Sequence, residues 1–122
     1  MTEQPRDLVE RTFRFATEVR RFVNRLPKGL SNYEDSRQVV RSSGSVAANY
    51  IESQEGLSRR DFFYRIKVCS KEARESGLWL RLVEIDGNAV LAQERERLAA
   101  ESDELKRIFS AIAGKDDTTG SL

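Results

Sequence analysis

Histidine is missing altogether, and cysteine, methionine and tryptophan occur once each. Without histidine the chain cannot build a Ser-His or Cys-His nucleophile, a histidine metal ligand or an imidazole proton switch of its own. The lone cysteine, Cys69, can form neither an intrachain disulfide nor a thiolate metal cluster. Proline occurs only twice, so long stretches run without a breaker. A dominant sign of charge is lacking too: 21 Lys and Arg against 20 Asp and Glu leave +1. That balance argues against a strongly basic nucleic-acid binder and against an acidic tail protein. No apolar run approaches the ~20 residues that span a bilayer. The opening Met1-Thr2-Glu3-Gln4-Pro5-Arg6-Asp7 has no apolar core and no small-residue cleavage site. The expectation is a cytoplasmic protein that carries no secretory signal and does not associate with membranes.

What is present favours helix. Arg, Glu, Leu and Ala are abundant, and 122 residues suit one domain. Asp7 can cap a first helical segment that runs to Arg25 or Leu26, where Pro27 and Gly29 stop it. Ser31 and Glu34 have capping-box spacing, with Asn32 as the alternative cap, for a second segment reaching about Gln54 before Gly56. Ser58 caps a third, which runs to the turn signal Asp86-Gly87-Asn88. A fourth spans Ala89 to Ala113 and ends at Gly114.

Each segment carries a seam at alternating spacings of four and three. The first shows Leu8, Thr12, Phe15, Val19, Phe22 and Leu26. The second shows Tyr33, Ser36, Val40, Ser43, Ala47 and Tyr50. The third shows Phe62, Ile66, Cys69, Ala73, Ser76, Leu80 and Val83, and the fourth Leu91, Arg95, Leu98, Ser102, Leu105, Phe109 and Ile112. Such seams with short connections predict an all-α fold, an antiparallel up-and-down four-helix bundle over residues 1–114, followed by a disordered tail, 115–122. The second segment is read as continuous through Ser43-Gly44-Ser45, with a neighbouring helix approaching closely at Ser43, Gly44, Ala47 and Ala48. That approach would offset the ~1 kcal/mol that a mid-helix glycine costs.

The third segment is apolar on two sides. Leu78, Leu82 and Ile85 fall opposite its seam, and Trp79 lies between the two sides. An exposed contiguous apolar face marks an interface, so Leu78, Trp79, Leu82 and Ile85 are expected to mediate self-association. The competing reading has the 86–90 connection or the fourth helix cover them within the chain.

The candidate chemistry is sparse. Glu72 and Glu75 share a helix face at the spacing of di-iron bundles, but no histidine is there to complete such a site. Lys71 and Arg74 beside them favour surface salt bridges over a metal site. Cys69 sits on the apolar seam and reads as a small buried hydrophobe. No cofactor and no catalytic residue is expected. Residues 1–26 and 58–86 each carry a charge of +2, and 27–57 and 87–122 carry −1 and −2. Repeated around a ring, the weakly basic segments could together bind phosphates. Arg14, Arg21, Arg25, Arg60, Lys67, Lys71 and Arg74 are the candidate contacts. Arg41, Ser45 and Asn49 form a polar stripe on the second segment, either solvated with local pairing or facing a neighbour.

The run Leu26-Pro27-Lys28, then Ser31-Asn32-Tyr33-Glu34, then Val40-Arg41-Ser42-Ser43-Gly44-Ser45-Val46-Ala47-Ala48-Asn49-Tyr50-Ile51-Glu52 is distinctive. It continues through Asp61-Phe62, Arg65-Ile66-Lys67-Val68-Cys69, Lys71-Glu72-Ala73, Glu75-Ser76 and Trp79-Leu80. Over roughly residues 12–83 the chain resembles the four-helix bundle proteins first noted as open reading frames in intervening sequences of bacterial large-subunit ribosomal RNA genes. The resemblance implies a four-helix bundle assembled into a ring, typically a homopentamer, with no enzymatic activity. The family's recurring positions are matched here by Arg41, Asn49, Glu52, Lys67, Glu72 and Glu75, without an assigned chemical role. A related protein is the accessory subunit of diversity-generating retroelements, which binds a reverse transcriptase and nucleic acid. It is markedly basic whereas this chain is nearly neutral, which weakens the transfer of that property. Two readings follow. One is a non-enzymatic ring-forming scaffold or accessory subunit that can bind RNA or a nucleic-acid-processing protein. The other is a direct nucleic-acid-binding module acting through basic surfaces on the first and third helices.

Overall fold

The computed structural model describes residues 5–116, with side chains from Asp7 onward. Its elements are four helices, α1 (Pro5–Val23), α2 (Leu30–Ser53), α3 (Arg59–Leu82) and α4 (Ala89–Ala113). Each packs on its neighbours in sequence, and α1 closes the bundle against α4, most thinly of the four seams. None of the described helices is long and apolar enough to cross a membrane. Of the expected tail, Lys115 and Asp116 continue in turn after α4, and the remainder lies outside the described residues.

Three of the four seams are buried as the periodicity predicts, Phe15 and Phe22 on α1, Ile66 and Leu80 on α3, and Leu98 and Phe109 on α4 among them. On α3, Phe63 is buried and Phe62 only half-buried against the core. Arg95 enters the α4 seam by reaching its guanidinium to the Val83 carbonyl at 2.9 Å.

The second seam is corrected by one residue. Asn32, Val39, Ser42, Val46 and Ser53 are buried, together with the expected Ser43 and Tyr50, while Tyr33 is exposed. Polar contacts chose the phase: the Ser42 and Ser76 hydroxyls share a hydrogen bond at 2.7 Å, which brings α2 close to α3. A second close approach lies between α3 and α4, where a Cβ on Gly77 would stand 2.8 Å from Ser102 Oγ. At Gly44 the neighbour is a side chain, the Arg20 guanidinium, 3.2 Å from where a Cβ would be. Glycine therefore serves the helix–helix approach at Gly77 rather than at Gly44.

The helix ends differ from expectation in four places, one being α1, which stops at Val23 rather than Arg25 or Leu26. Helix α1 begins at Pro5, with Asp7 inside its first turn rather than capping it. Helix α2 starts at Leu30 after Gly29, without a side-chain cap. The reason is that Asn32, an alternative cap in the sequence, is buried and used elsewhere: its amide donates to the Pro27 and Glu84 carbonyls, each at 2.9 Å, and its oxygen accepts from Glu84 N–H at 2.8 Å. Those bonds hold the chain beyond α3 extended, with Val83 at ψ 148°, so α3 stops at Leu82 rather than Asp86. Ser58 caps α3 through Asp61 N–H as expected, and Asn88 caps α4 through Leu91 N–H. Gly56 before α3, and Asp86 and Gly87 before α4, take positive φ, the conformation that reverses the chain.

Candidate functional site

Helix α3 is flanked by α2 on one side and α4 on the other, so each of its remaining faces can be examined as a surface. On the α2 flank the polar stripe is paired with α3. Arg41 reaches Glu72 at 3.1 Å and Glu75 at 3.4 Å. Asn49 donates to the Ser45 hydroxyl and carbonyl, both at 3.0 Å, and its oxygen accepts from Arg65 at 3.1 Å. Burial pushes the Glu72 carboxyl up, but the Arg41 hydrogen bond and charge, aided by Ser45 and Lys71, hold it below its ordinary value. The same hydrogen bond raises the Arg41 guanidinium. Glu72 and Glu75 thus form salt bridges, but with Arg41 of α2 rather than with the adjacent Lys71 and Arg74 that the sequence pointed to. Among the described residues no group of His, Cys, Asp and Glu is arranged to hold a metal ion.

Cys69 is fully buried, with its thiol donating to the Val46 carbonyl at 3.5 Å. Burial pushes its thiol up to about 12, far from the thiolate a nucleophile needs.

On the outer face of α3, Leu78 is 48 % exposed and Leu82 50 %. They lie one turn apart. Trp79 and Ile85 do not share that exposure, because both are partly buried against the core of their own chain. Ile85 is not on α3 at all, since the helix has already ended. Of the four expected interface residues, Leu78 and Leu82 are therefore the exposed pair; Phe13, Leu30, Tyr33, Ile51, Leu57, Tyr64 and Val90 are exposed elsewhere on the chain.

On the α4 flank a cleft of about 410 Å³ is lined by Lys67, Ser70, Lys71, Arg74, Lys106, Ser110 and Ala113. This brings together three of the basic candidates. It adds Lys106, which sequence reasoning missed because it belongs to a net acidic segment. Ser70 and Ser110 share a hydrogen bond at 2.6 Å across the cleft. The spacing Lys106, Ser110, Ala113 repeats the four-then-three step of Lys67, Lys71, Arg74, and that match was the available signal.

The α1 candidates lie elsewhere. Among the described residues α1 packs on α2 and α4 and lies diagonally across the bundle from α3, so the two basic helices form no common surface on one chain. Arg14 lines an α1–α4 cleft of about 740 Å³ together with Asp7, Glu10, Glu101 and Glu104. Arg21 and Arg25 line another with Glu18 and Glu94, and Arg25 comes within 3.9 Å of Glu94. Arg60 is exposed in the first turn of α3, outside the basic cleft.

The family model described as 23S rRNA-intervening sequence protein matches residues 6–111. A solved protein with unknown function, from the S23 ribosomal protein family of Bacteroides thetaiotaomicron VPI-5482, is 25% identical, with a TM-score of 0.72. The alignment covers 91% of this chain and 98% of that one. No curated protein matches the chain.

Proposed function

We propose that this chain, which belongs to the 23S rRNA-intervening sequence protein family, acts in the cytoplasm as a non-enzymatic, self-associating scaffold or accessory subunit. The observation that carries the reading is the half-exposed Leu78–Leu82 pair on a helix whose two flanks are already occupied. A further chain would cover such a face. A ring of identical subunits, a homopentamer by resemblance to the family, covers it in every copy. The buried, protonated Cys69 and the Glu72 and Glu75 carboxylates committed to Arg41 support a role without catalysis or cofactor.

Light scattering on the purified protein tests this. The expected mass is a multiple of the 14.0 kDa chain, and Leu82→Glu should yield a monomer of unchanged helical circular dichroism. A wild-type monomer at micromolar concentration, or a Leu82→Glu variant that unfolds, defeats the assignment of that face.

RNA binding is the second reading, and the basic α3–α4 cleft is the observation that favours it. Titration of labelled RNA at two salt concentrations separates it from a scaffold that binds no nucleic acid, because phosphate contacts weaken steeply as salt rises.

A further inference from the structure

We infer that the α3–α4 cleft is a phosphate-binding groove, in which Lys67, Lys71, Arg74 and Lys106 hold phosphoryl oxygens of an RNA backbone or of free phosphate. The RNA arm rests on the second reading above, and the whole is independent of self-association.

The lining decides the ligand class. Four cations and two hydroxyls line the cleft, and no carboxylate does. The α1–α4 cleft is the contrast: there Arg11, Arg14 and Arg97 are outnumbered by five acidic residues. Overall neutrality thus conceals a separation of charge between two grooves of one bundle. Within the basic groove, Lys71 and Arg74 enter no ion pair among the described residues. Lys67 and Lys106 have only loose partners, Asp116 at 3.7 Å and Asp103 at 3.8 Å. The half-exposed Lys106–Asp103 pair is worth little, whereas Asp116 is largely buried beside Lys67, so Lys71 and Arg74 are the cations that an arriving phosphate meets unengaged.

The rows give the groove its form. Lys67, Lys71 and Arg74 follow one edge of α3, and Lys106, Ser110 and Ala113 follow the facing edge of α4. The bonded Ser70 and Ser110 hydroxyls join the two edges. These small side chains leave the space open; the Ser70 hydroxyl also donates to the Lys106 carbonyl at 3.4 Å, so the two hydroxyls brace the groove and the four cations face the ligand. Lysines supply mobile charge, and Arg74 supplies a fork that takes a phosphate through two N–H groups. A protein partner fits less well, because Ala113 is the groove's one apolar residue and no aromatic anchor lines it.

The test uses the full chain and two probes: a fluorescein-labelled oligouridylate of about twelve nucleotides, followed by anisotropy, and sodium phosphate, followed by amide NMR shifts. Wild type should bind the oligonucleotide at about 50 mM salt and lose most of the affinity by about 200 mM. Lys71→Glu/Arg74→Glu should weaken binding by about tenfold or more, and Lys71→Gln/Arg74→Gln should weaken it less and flatten the salt dependence. Arg14→Glu/Arg21→Glu should bind as wild type does. Phosphate shifts at Ser70, Lys71 and Ser110 without oligonucleotide binding keep the groove, assign it to free phosphate and remove the RNA reading. Oligonucleotide binding that ignores both Lys71/Arg74 variants, in folded protein, overturns the groove and keeps the RNA reading. Two further results overturn the groove: silence toward both probes, and a change of assembly mass in these variants without loss of binding, which would make the cleft a contact between copies.

Discussion

Asn32 and Glu84 are joined like neighbouring strands. The Asn32 side chain donates to the Glu84 carbonyl at 2.9 Å and accepts from its N–H at 2.8 Å, so one amide group satisfies both backbone groups of a residue 52 positions away. The second Asn32 amide bond, to Pro27, pins the α1–α2 connection to the same point. Removing a buried partner leaves these groups unpaired, and Asn32→Ala should cost about 2–3 kcal/mol in urea unfolding. Asn32→Asp should cost more, because it turns a carboxylate oxygen toward the Pro27 and Glu84 carbonyls. An Asp variant as stable as wild type would refute the pairing.

Gly77 and Gly44 should respond oppositely to alanine. At Gly77 the new methyl meets Ser102 Oγ at 2.8 Å, and that hydroxyl is fixed by its own bond to the Ala99 carbonyl at 2.7 Å. Gly77→Ala should therefore destabilise despite the better helix propensity of alanine. At Gly44 the obstacle is the tip of exposed Arg20, which can swing away. Gly44→Ala should be neutral or stabilising by up to about 1 kcal/mol. Thermal melts of the two variants decide the matter, and the reverse order would contradict the packing described.

Glu72 should give the acid limb of the stability curve part of its slope. Its carboxyl is driven up by burial and, more strongly in sum, down by Arg41, Ser45 and Lys71, ending below its ordinary 4.5. A carboxyl depressed in the folded state holds fewer protons there than in the unfolded chain. Its contribution is whole above pH 4.5 and is lost as the pH falls through the depressed value. In Glu72→Gln, unfolding free energy measured against pH should fall less steeply below that point. An acid limb identical to wild type would show that Glu72 is not the group.

Cys69 should be silent in the folded protein. Its thiol is pushed up to about 12 by burial, so Ellman's reagent at mildly alkaline pH should find almost no thiolate until urea unfolds the chain. Rapid labelling of native protein would mean that the α2–α3 interface opens far below global unfolding.

Legibility in the sequence followed the contrast between adjacent residues. On α1, α3 and α4 the buried positions alternate with charge, and the phase is plain. On α2 the neighbours Val39 and Val40, Ser42 and Ser43, and Val46 and Ala47 are near equivalents, so periodicity cannot choose between them. The choice came from the Ser42–Ser76 bond and from Asn32, neither of which spacing reveals. The end of α3 was hidden for the same reason, since Asn32 claims the Glu84 backbone that a longer helix would use. Of the surfaces, Leu78 and Leu82 were legible as the back of an apolar helix. Lys106 was not, because its neighbour across the cleft is set by how α4 docks on α3.

The thin seam between α1 and α4 is bridged largely by charge: Arg11 grips Glu101 through two bonds at 2.8 and 2.9 Å, and Arg97 reaches Glu18 at 3.0 Å. Salt that weakens those bridges should loosen the thinnest seam of the bundle first, so amides of α1 are expected to exchange deuterium early. Amides of α3, wedged from both flanks, should exchange last, with the opening of the whole bundle. The element that presents the oily pair and one bank of the basic groove is thereby also the slowest to breathe.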